Sequence, residues 1–290
     1  MTKLLDVLSL ISIGLLLTGC SVRNSDLDYQ PYTVSPAEAN IETLTQTTST
    51  CSVYSATIKT LCTTTTEKVF TIDDISETEI EDTSKILDCT YISQEMYPTG
   101  CELISLGMLL NSSGIEITPE EIIENLQYKN VVATDTGLYG GDPNKVFIGD
   151  PTTEEGFGCY NGAINILTCD ILKKKQLKDY STISMNGVSL QEICKRFINN
   201  NIPVMIWGSI CMSDTYTYDE YKWTIEGTEE QFQWISNEHC LLLVGYDEHN
   251  YYFNDPWVGC RVQYNKELVN TRYNELGCQA FTLVKNEQFK

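Results

Sequence analysis

At 290 residues, 42% of them hydrophobic, the chain is long enough for one large domain or two small ones around an ordinary core. A formal net charge of −21 and a pI near 4.3 exclude nucleic acid as a partner, because phosphate binding needs a basic face. They equally exclude attraction to an anionic membrane surface by charge alone, and suit an acidic surface outside the cell or a cationic substrate.

The N-terminus reads as an export signal covering residues 1–19. Lys3 supplies a weak positive region, and residues 7–17 are mostly apolar, with Asp6 just ahead of them. This stretch is shorter than the roughly 20 residues a transmembrane helix needs. It ends in Leu17-Thr18-Gly19-Cys20, which resembles a bacterial lipobox. Lipidation at Cys20, and hence a lipid anchor on the outer face of the bacterial cell membrane, is expected. The alternative is a plain secretory signal and a secreted protein.

Residues 20–88 read as an acidic, Thr/Ser-rich tether. Between Cys20 and Asp88 there are twelve acidic and four basic residues, a net of −8, and no sustained period. Such a segment buries too little apolar surface to offset its ordering entropy. Within it, residues 51–60 could form a short strand, and Cys51 and Cys62 could pair across a polar loop. The folded domain is expected over residues 89–287.

In that domain, residues 103–110 form an apolar run, broken only by Ser105, that reads as a buried helix, ended by Asn111-Ser112-Ser113-Gly114. Thr118-Pro119-Glu120-Glu121 is a helix start, with an N-cap Thr, Pro at the first position and Glu at the third. Ile122, Ile123 and Leu126 give its apolar face. Residues 137–151, rich in Gly, Asp and Pro, read as a long loop. Residues 163–172 fit another helix. Ser189-Leu190-Gln191-Glu192 is a second capping box, leading a helix with Ile193, Phe197 and Ile198 on one face. Residues 202–207 read as a strand, and residues 239–246 and 251–254 as a hairpin turning through Asp247-Glu248-His249-Asn250. Helices first and strands later predict an α+β fold.

Twelve cysteines include no Cys-x-x-Cys pair, so zinc-knuckle and thioredoxin spacings are absent. Asp135, Asp142 and Asp150 lack the alternating spacing and closing Glu of a calcium loop. No metal or cofactor is expected.

The chemistry centres on Cys101. It stands in Pro98-Thr99-Gly100-Cys101-Glu102, at the mouth of the first buried helix. A thiolate is the competent nucleophile, and a helix N-terminus lowers a thiol's pKa through its unpaired N–H groups. The Cys101 N–H, and the Gln94 side chain seven residues upstream, could donate to an oxyanion. Of the two histidines, His239 opens an apolar strand and suits a base held on a rigid element, whereas His249 lies in a polar turn. Asp255 is the candidate to orient the imidazole. A symmetric loop pairs Tyr246 with Tyr251 and sets His239 opposite Val258. Asp255 is then three residues out of register, roughly 10 Å along the strand. A bulge must close that gap, or Asn254 or Asp247 takes the role. The aromatic residues Tyr216, Tyr218, Tyr221, Trp223, Phe232 and Trp234 read as core, with a substrate groove as the alternative.

Gln94, Pro98-Thr99-Gly100-Cys101-Glu102, Asp142-Pro143-Asn144, Gly149-Asp150-Pro151, Pro203-Val204, Trp207-Gly208, Glu238-His239-Cys240, Leu243-Val244-Gly245-Tyr246, Asn254-Asp255-Pro256 and Gly277-Cys278-Gln279-Ala280 together resemble the peptidase C39-like family, a bacterial branch of the papain-like cysteine peptidases. The resemblance covers about residues 91–284. It implies a papain-like fold, with N-terminal helices and the nucleophile at a helix start packed on a C-terminal antiparallel sheet. It also implies Cys101 as nucleophile, His239 as base, Asp255 as orienter and Gln94 at the oxyanion hole. The expected activity is a cell-surface cysteine peptidase acting on a peptide or protein through an acyl-thioester. Two alternatives remain: a catalytically silent binding or adhesion lipoprotein, and an acyl transferase using the same dyad. The double-glycine leaders cut by transporter-fused relatives are not carried over, since no transporter segment is present.

Overall fold

The computed structural model describes residues 84–288. The export signal, Cys20 and the Cys51–Cys62 pairing expected above lie outside the described residues. Lys85–Ile86 (β1), just ahead of the boundary expected at residue 89, pairs with the end of a central strand.

Helix α1 (Cys101–Ser112) is buried from Cys101 through Leu110. It is apolar all round because other elements enclose it, so the sequence shows a solid run and no stripe. Helix α2 (Pro119–Ile123) has the expected capping box: the Thr118 side chain accepts from the Glu121 N–H, and Glu121 accepts from the Thr118 N–H. Four short strands follow, β2 (Tyr128–Lys129), β3 (Val132–Thr134), β4 (Gly137–Gly140) and β5 (Phe147–Ile148). The last two replace part of the loop expected over residues 137–151. Asp142 and Asp150 there accept backbone N–H groups two residues on, closing turns.

Helix α3 (Asn161–Lys174) leads to β6 (Tyr180–Asn186), and α4 (Leu190–Arg196) to β7 (Val204–Ser209). The Ser189 side chain caps α4 by accepting from the Glu192 N–H. Strands β8 (Lys222–Ile225) and β9 (Gln231–Gln233) join β3 and β4 in a small sheet. The hairpin β10 (Glu238–Tyr246) and β11 (Asn250–Asp255) is followed by β12 (Gly259–Asn265), helix α5 (Lys266–Glu275) and β13 (Gln279–Lys285).

The main sheet runs β12-β11-β10-β7-β13-β6, every neighbouring pair antiparallel. Strand β7 accompanies β10 only as far as Leu243, and β1 then takes its place beside Gly245 and Tyr246. The fold is α+β, as expected, with β6 and α5 interleaved among the elements the sequence predicts.

One irregularity positions the site. Tyr246 pairs with Tyr251, as a symmetric loop requires, but the register shifts between Leu243 and Gly245. Val244 is the extra residue, and beyond it Leu242 faces Asn254. Carried one step further, Asp255 stands opposite Leu241, two residues from His239 and on the same face. Without the bulge, Asp255 would face Leu242 and point to the other side. Gly245 is needed there because a Cβ would lie 2.4 Å from the Lys85 carbonyl oxygen and 2.8 Å from the Ile86 Cα. Gly245→Ala is expected to push β1 off the sheet and cost about 2 kcal/mol of unfolding free energy. Urea titration checks this, and an unchanged midpoint contradicts it.

Candidate active site

Cys101 is the first residue of α1, entered through a tight turn in which the Gly100 N–H donates to Tyr97 O. Its Sγ lies against β10 and accepts the Cys240 N–H at 3.5 Å. One turn along the same helix face, Ser105 Oγ donates to the Cys240 carbonyl at 3.0 Å. The helix thus grips both backbone groups of the residue that follows His239.

His239 is 2% exposed and its Nε2 lies 2.8 Å from Asp255 Oδ1. Asp255, fully buried, also accepts from the Trp257 N–H, the Val258 N–H and Tyr264 Oη, at 2.9, 3.2 and 3.1 Å. Burial alone would raise its pKa, but the His239 charge and these donors outweigh it and hold the carboxyl below its ordinary value. Ionised Asp255 fixes the proton on His239 Nε2, while the Cys101 thiol hydrogen-bonds Glu102 Oε2 rather than the imidazole.

The other candidates for these roles are engaged elsewhere. Asn254 points to the opposite face, donating to the Cys89 and Thr90 carbonyls and accepting from the Arg261 N–H. Asp247 closes the hairpin by accepting from the His249 and Asn250 N–H groups and Tyr252 Oη. The His249 side chain is 76% exposed beside Glu248. Gln94 is buried in the turn ahead of Cys101; its backbone N–H donates to Pro256 O and its Nε2 to Pro98 O at 3.3 Å. It therefore links the Asp255 corner to the entry of α1.

Two buried acids were not among the candidates. Glu102, with no exposure, accepts the Cys101 thiol at 3.3 Å through Oε2 and the Cys159 N–H at 2.6 Å through Oε1. Glu238, 8% exposed, stands next to His239 in β10. Burial pushes the Glu102 carboxyl up to about 7 against its hydrogen bonds, and burial plus Glu102 push Glu238 well above its usual range. The expected lowering of the Cys101 pKa is overturned. Burial and then the two glutamates push the thiol well above its ordinary value, against the hydrogen bond from the Cys240 N–H.

The segment over these acids is shaped to fit. A Cβ on Gly158, whose φ is +136°, would meet Glu102 Oε1 at 2.2 Å. The Cys159 carbonyl accepts from Trp207 Nε1 at 2.9 Å. Beyond it Phe157, Tyr160, Trp223, Phe232 and Trp234 form a packed aromatic cluster, with Tyr160 and Trp234 stacked at 5.5 Å. Trp223 and Trp234 are core, whereas Tyr216 and Tyr218 are exposed.

Comparison with known proteins agrees with this geometry. The model of the Peptidase_C39 like family matches residues 86–281. The protein YvpB of Bacillus subtilis (strain 168), described as uncharacterized, is 26% identical over 213 residues, 72% of this chain and 80% of the relative. The crystal structure of a presumed C39-like peptidase from Bacillus anthracis superposes with a TM-score of 0.58 at 27% identity, covering 70% of this chain and 98% of that one. With its matched region spanning both halves of the Cys101–His239–Asp255 site, the chain belongs to the Peptidase C39-like family.

Proposed function

We propose that the protein is a cysteine peptidase that hydrolyses peptide or amide bonds through an acyl-thioester on Cys101. The observation that carries this reading is the buried 2.8 Å contact of His239 with Asp255, on the strand whose next residue meets the Cys101 thiol. His239 Nδ1 takes the thiol proton, and Sγ attacks the substrate carbonyl carbon. The C–N bond breaks as the imidazolium protonates the leaving amine, and water then hydrolyses the thioester. The Cys101 N–H, at the helix start, and a Gln94 amide N–H are the proposed donors to the oxyanion.

A peptide mixture incubated with the wild-type chain and with Cys101→Ala tests the reading. New peptide termini, found by mass spectrometry with the wild type alone, support it. Their absence, or equal cleavage by both, overturns it. Acylation of added amines in place of cleavage would favour the transferase.

We also propose that the chain is lipid-anchored through Cys20 on the outer face of a bacterial membrane, with residues 20–84 as spacer. The motif Leu17-Thr18-Gly19-Cys20 supports this. No helix among the described residues is long and apolar enough to cross a membrane. The mass of the mature N-terminal peptide from the native host decides: a diacylated Cys20 is expected, and an unmodified one contradicts the anchor.

A further inference from the structure

The thiol and the two buried glutamates are arranged as a ligand set. Cys101 Sγ and one oxygen each of Glu102 and Glu238 all lie within 4.8 Å of one another. Two carboxylates and a thiol packed together without a cation are mutually repulsive once ionised. No ion pair involves Glu102 or Glu238 among the described residues. Glu238 Oε1 is moreover buried without a hydrogen-bond partner, on a residue only 8% exposed. A buried carboxylate oxygen left unsatisfied requires an explanation, and an ion is one of those that physical chemistry offers.

The surroundings are those of a prepared coordination shell. The second oxygen of Glu102 is fixed by the Cys159 N–H at 2.6 Å, and the Cys101 sulfur is steered by the Cys240 N–H at 3.5 Å. Both are backbone donors, one on β10 and one in the segment just before α3, and such contacts orient ligands and set their basicity. Gly158 leaves room for the Glu102 carboxylate where a side chain would fill it.

We propose that Cys101, Glu102 and Glu238 form a binding site for a borderline, non-redox divalent cation of the zinc class, and that its binding silences the Cys101 nucleophile. One sulfur and two oxygens make a mixed donor set suited to zinc or cobalt(II). Calcium and magnesium demand oxygen ligands throughout, which the thiol cannot supply. Three protein ligands leave a fourth tetrahedral position for water. An S–metal–O angle near tetrahedral needs ligand atoms roughly 3.5 Å apart, and Cys101 Sγ and Glu102 Oε2 already stand 3.3 Å apart. Binding converts Cys101–SH to a metal-bound thiolate and releases its proton to solvent. The sulfur lone pair then lies on the metal and does not attack a carbonyl. The binding stands on the geometry of the three side chains; only its inhibitory consequence rests on Cys101 being the nucleophile of a peptidase.

The test is titration of the chelator-treated full chain with cobalt(II), followed by the near-ultraviolet thiolate-to-cobalt charge-transfer band, with zinc as competitor. One equivalent should produce the band, and zinc should abolish it. Cys101→Ala should lack the band, and Glu238→Gln should bind at least about tenfold more weakly. Metal-free Glu238→Gln should still react with a thiol-directed electrophile at Cys101, located by peptide mass mapping, while zinc should block that reaction in the wild type. If near-ultraviolet circular dichroism shows Glu238→Gln to be unfolded, Glu238→Asp replaces it. Absence of the band, or a band unchanged by Cys101→Ala or by the Glu238 variant, overturns the site. Cobalt binding that leaves the Cys101 reaction rate unchanged overturns the silencing. A chain that binds cobalt as described yet never cleaves a peptide when metal-free defeats the peptidase reading and leaves the metal site standing.

Discussion

Cys101→Ala is expected to lower peptide hydrolysis by at least about 10⁴-fold while leaving the protein folded. The catalytic part follows from losing the sulfur proposed to form the acyl intermediate, and units of nucleophile and base fail together when either is removed. The structural part follows from size and setting. The thiol is a small group at the first turn of α1, and its lost contacts are one bond to Glu102 and one from the Cys240 N–H. The clamp from Ser105 to Cys240 remains and holds the helix on the strand. Steady-state kinetics and a thermal melt check both halves. Retained hydrolysis in Cys101→Ala would assign the reaction to another group.

Asp255→Ala is expected to damage both activity and stability, and Asp255→Asn much less. Alanine removes the acceptor shared by His239 Nε2 and two backbone N–H groups. The cost is about 2–4 kcal/mol, since buried donors left unmet cost more than an average hydrogen bond contributes. Activity should fall about 10³-fold as the imidazole loses its fixed tautomer. Asparagine keeps an oxygen that accepts from Nε2 and preserves the tautomer, so a smaller loss is expected.

The pH dependence separates charge from shape at the same position. The Asp255 carboxyl is held below its ordinary value, so the folded state binds its proton less readily than the unfolded chain does. Its contribution to stability is therefore full above the unfolded value of about 3.9 and is lost as pH falls through the lower folded value. The wild type should outlast Asp255→Asn in urea at neutral pH, and that margin should shrink below about pH 4. A margin that is constant from pH 3 to pH 7 would contradict an ionised Asp255.

Cys101 and His239 are legible in the sequence for simple reasons. A thiol in a Pro-Thr-Gly-Cys turn ahead of a largely apolar run marks a helix mouth, and two histidines leave few choices. The mismatch between His239 and Asp255 is legible too, but its cure is not. The bulge at Val244 lies where β1 pairs at Gly245, a contact between residues far apart in the chain. Glu102 and Glu238 read in sequence as ordinary acids, one in a first helical turn and one before a strand. Only the packing of Cys159, Gly158 and the aromatic cluster over them reveals their burial. That burial is also why the thiol's pKa moves opposite to the helix-terminus expectation.

The missed elements have equally local causes. Strand β6 carries buried Ser181, Thr182 and Ser184, so it lacks apolar alternation. Ser181 and Ser184 are satisfied by Asn286 Oδ1 and the Asn161 carbonyl. Helix α5 buries only Val269 and Tyr273, too thin a stripe to show a period. Strand β12 lies at the sheet edge and is largely half-exposed.

The central claim is that Cys101 becomes acylated by a peptide and that His239 makes this possible. The most direct measurement is intact-protein and peptide mass spectrometry of the chain quenched in acid during turnover of a peptide ester. The account predicts a single acyl adduct on Cys101, hydrolysed on return to neutral pH, and absent in His239→Ala. An adduct on another cysteine, or equal acylation of Cys101 in His239→Ala, would contradict it.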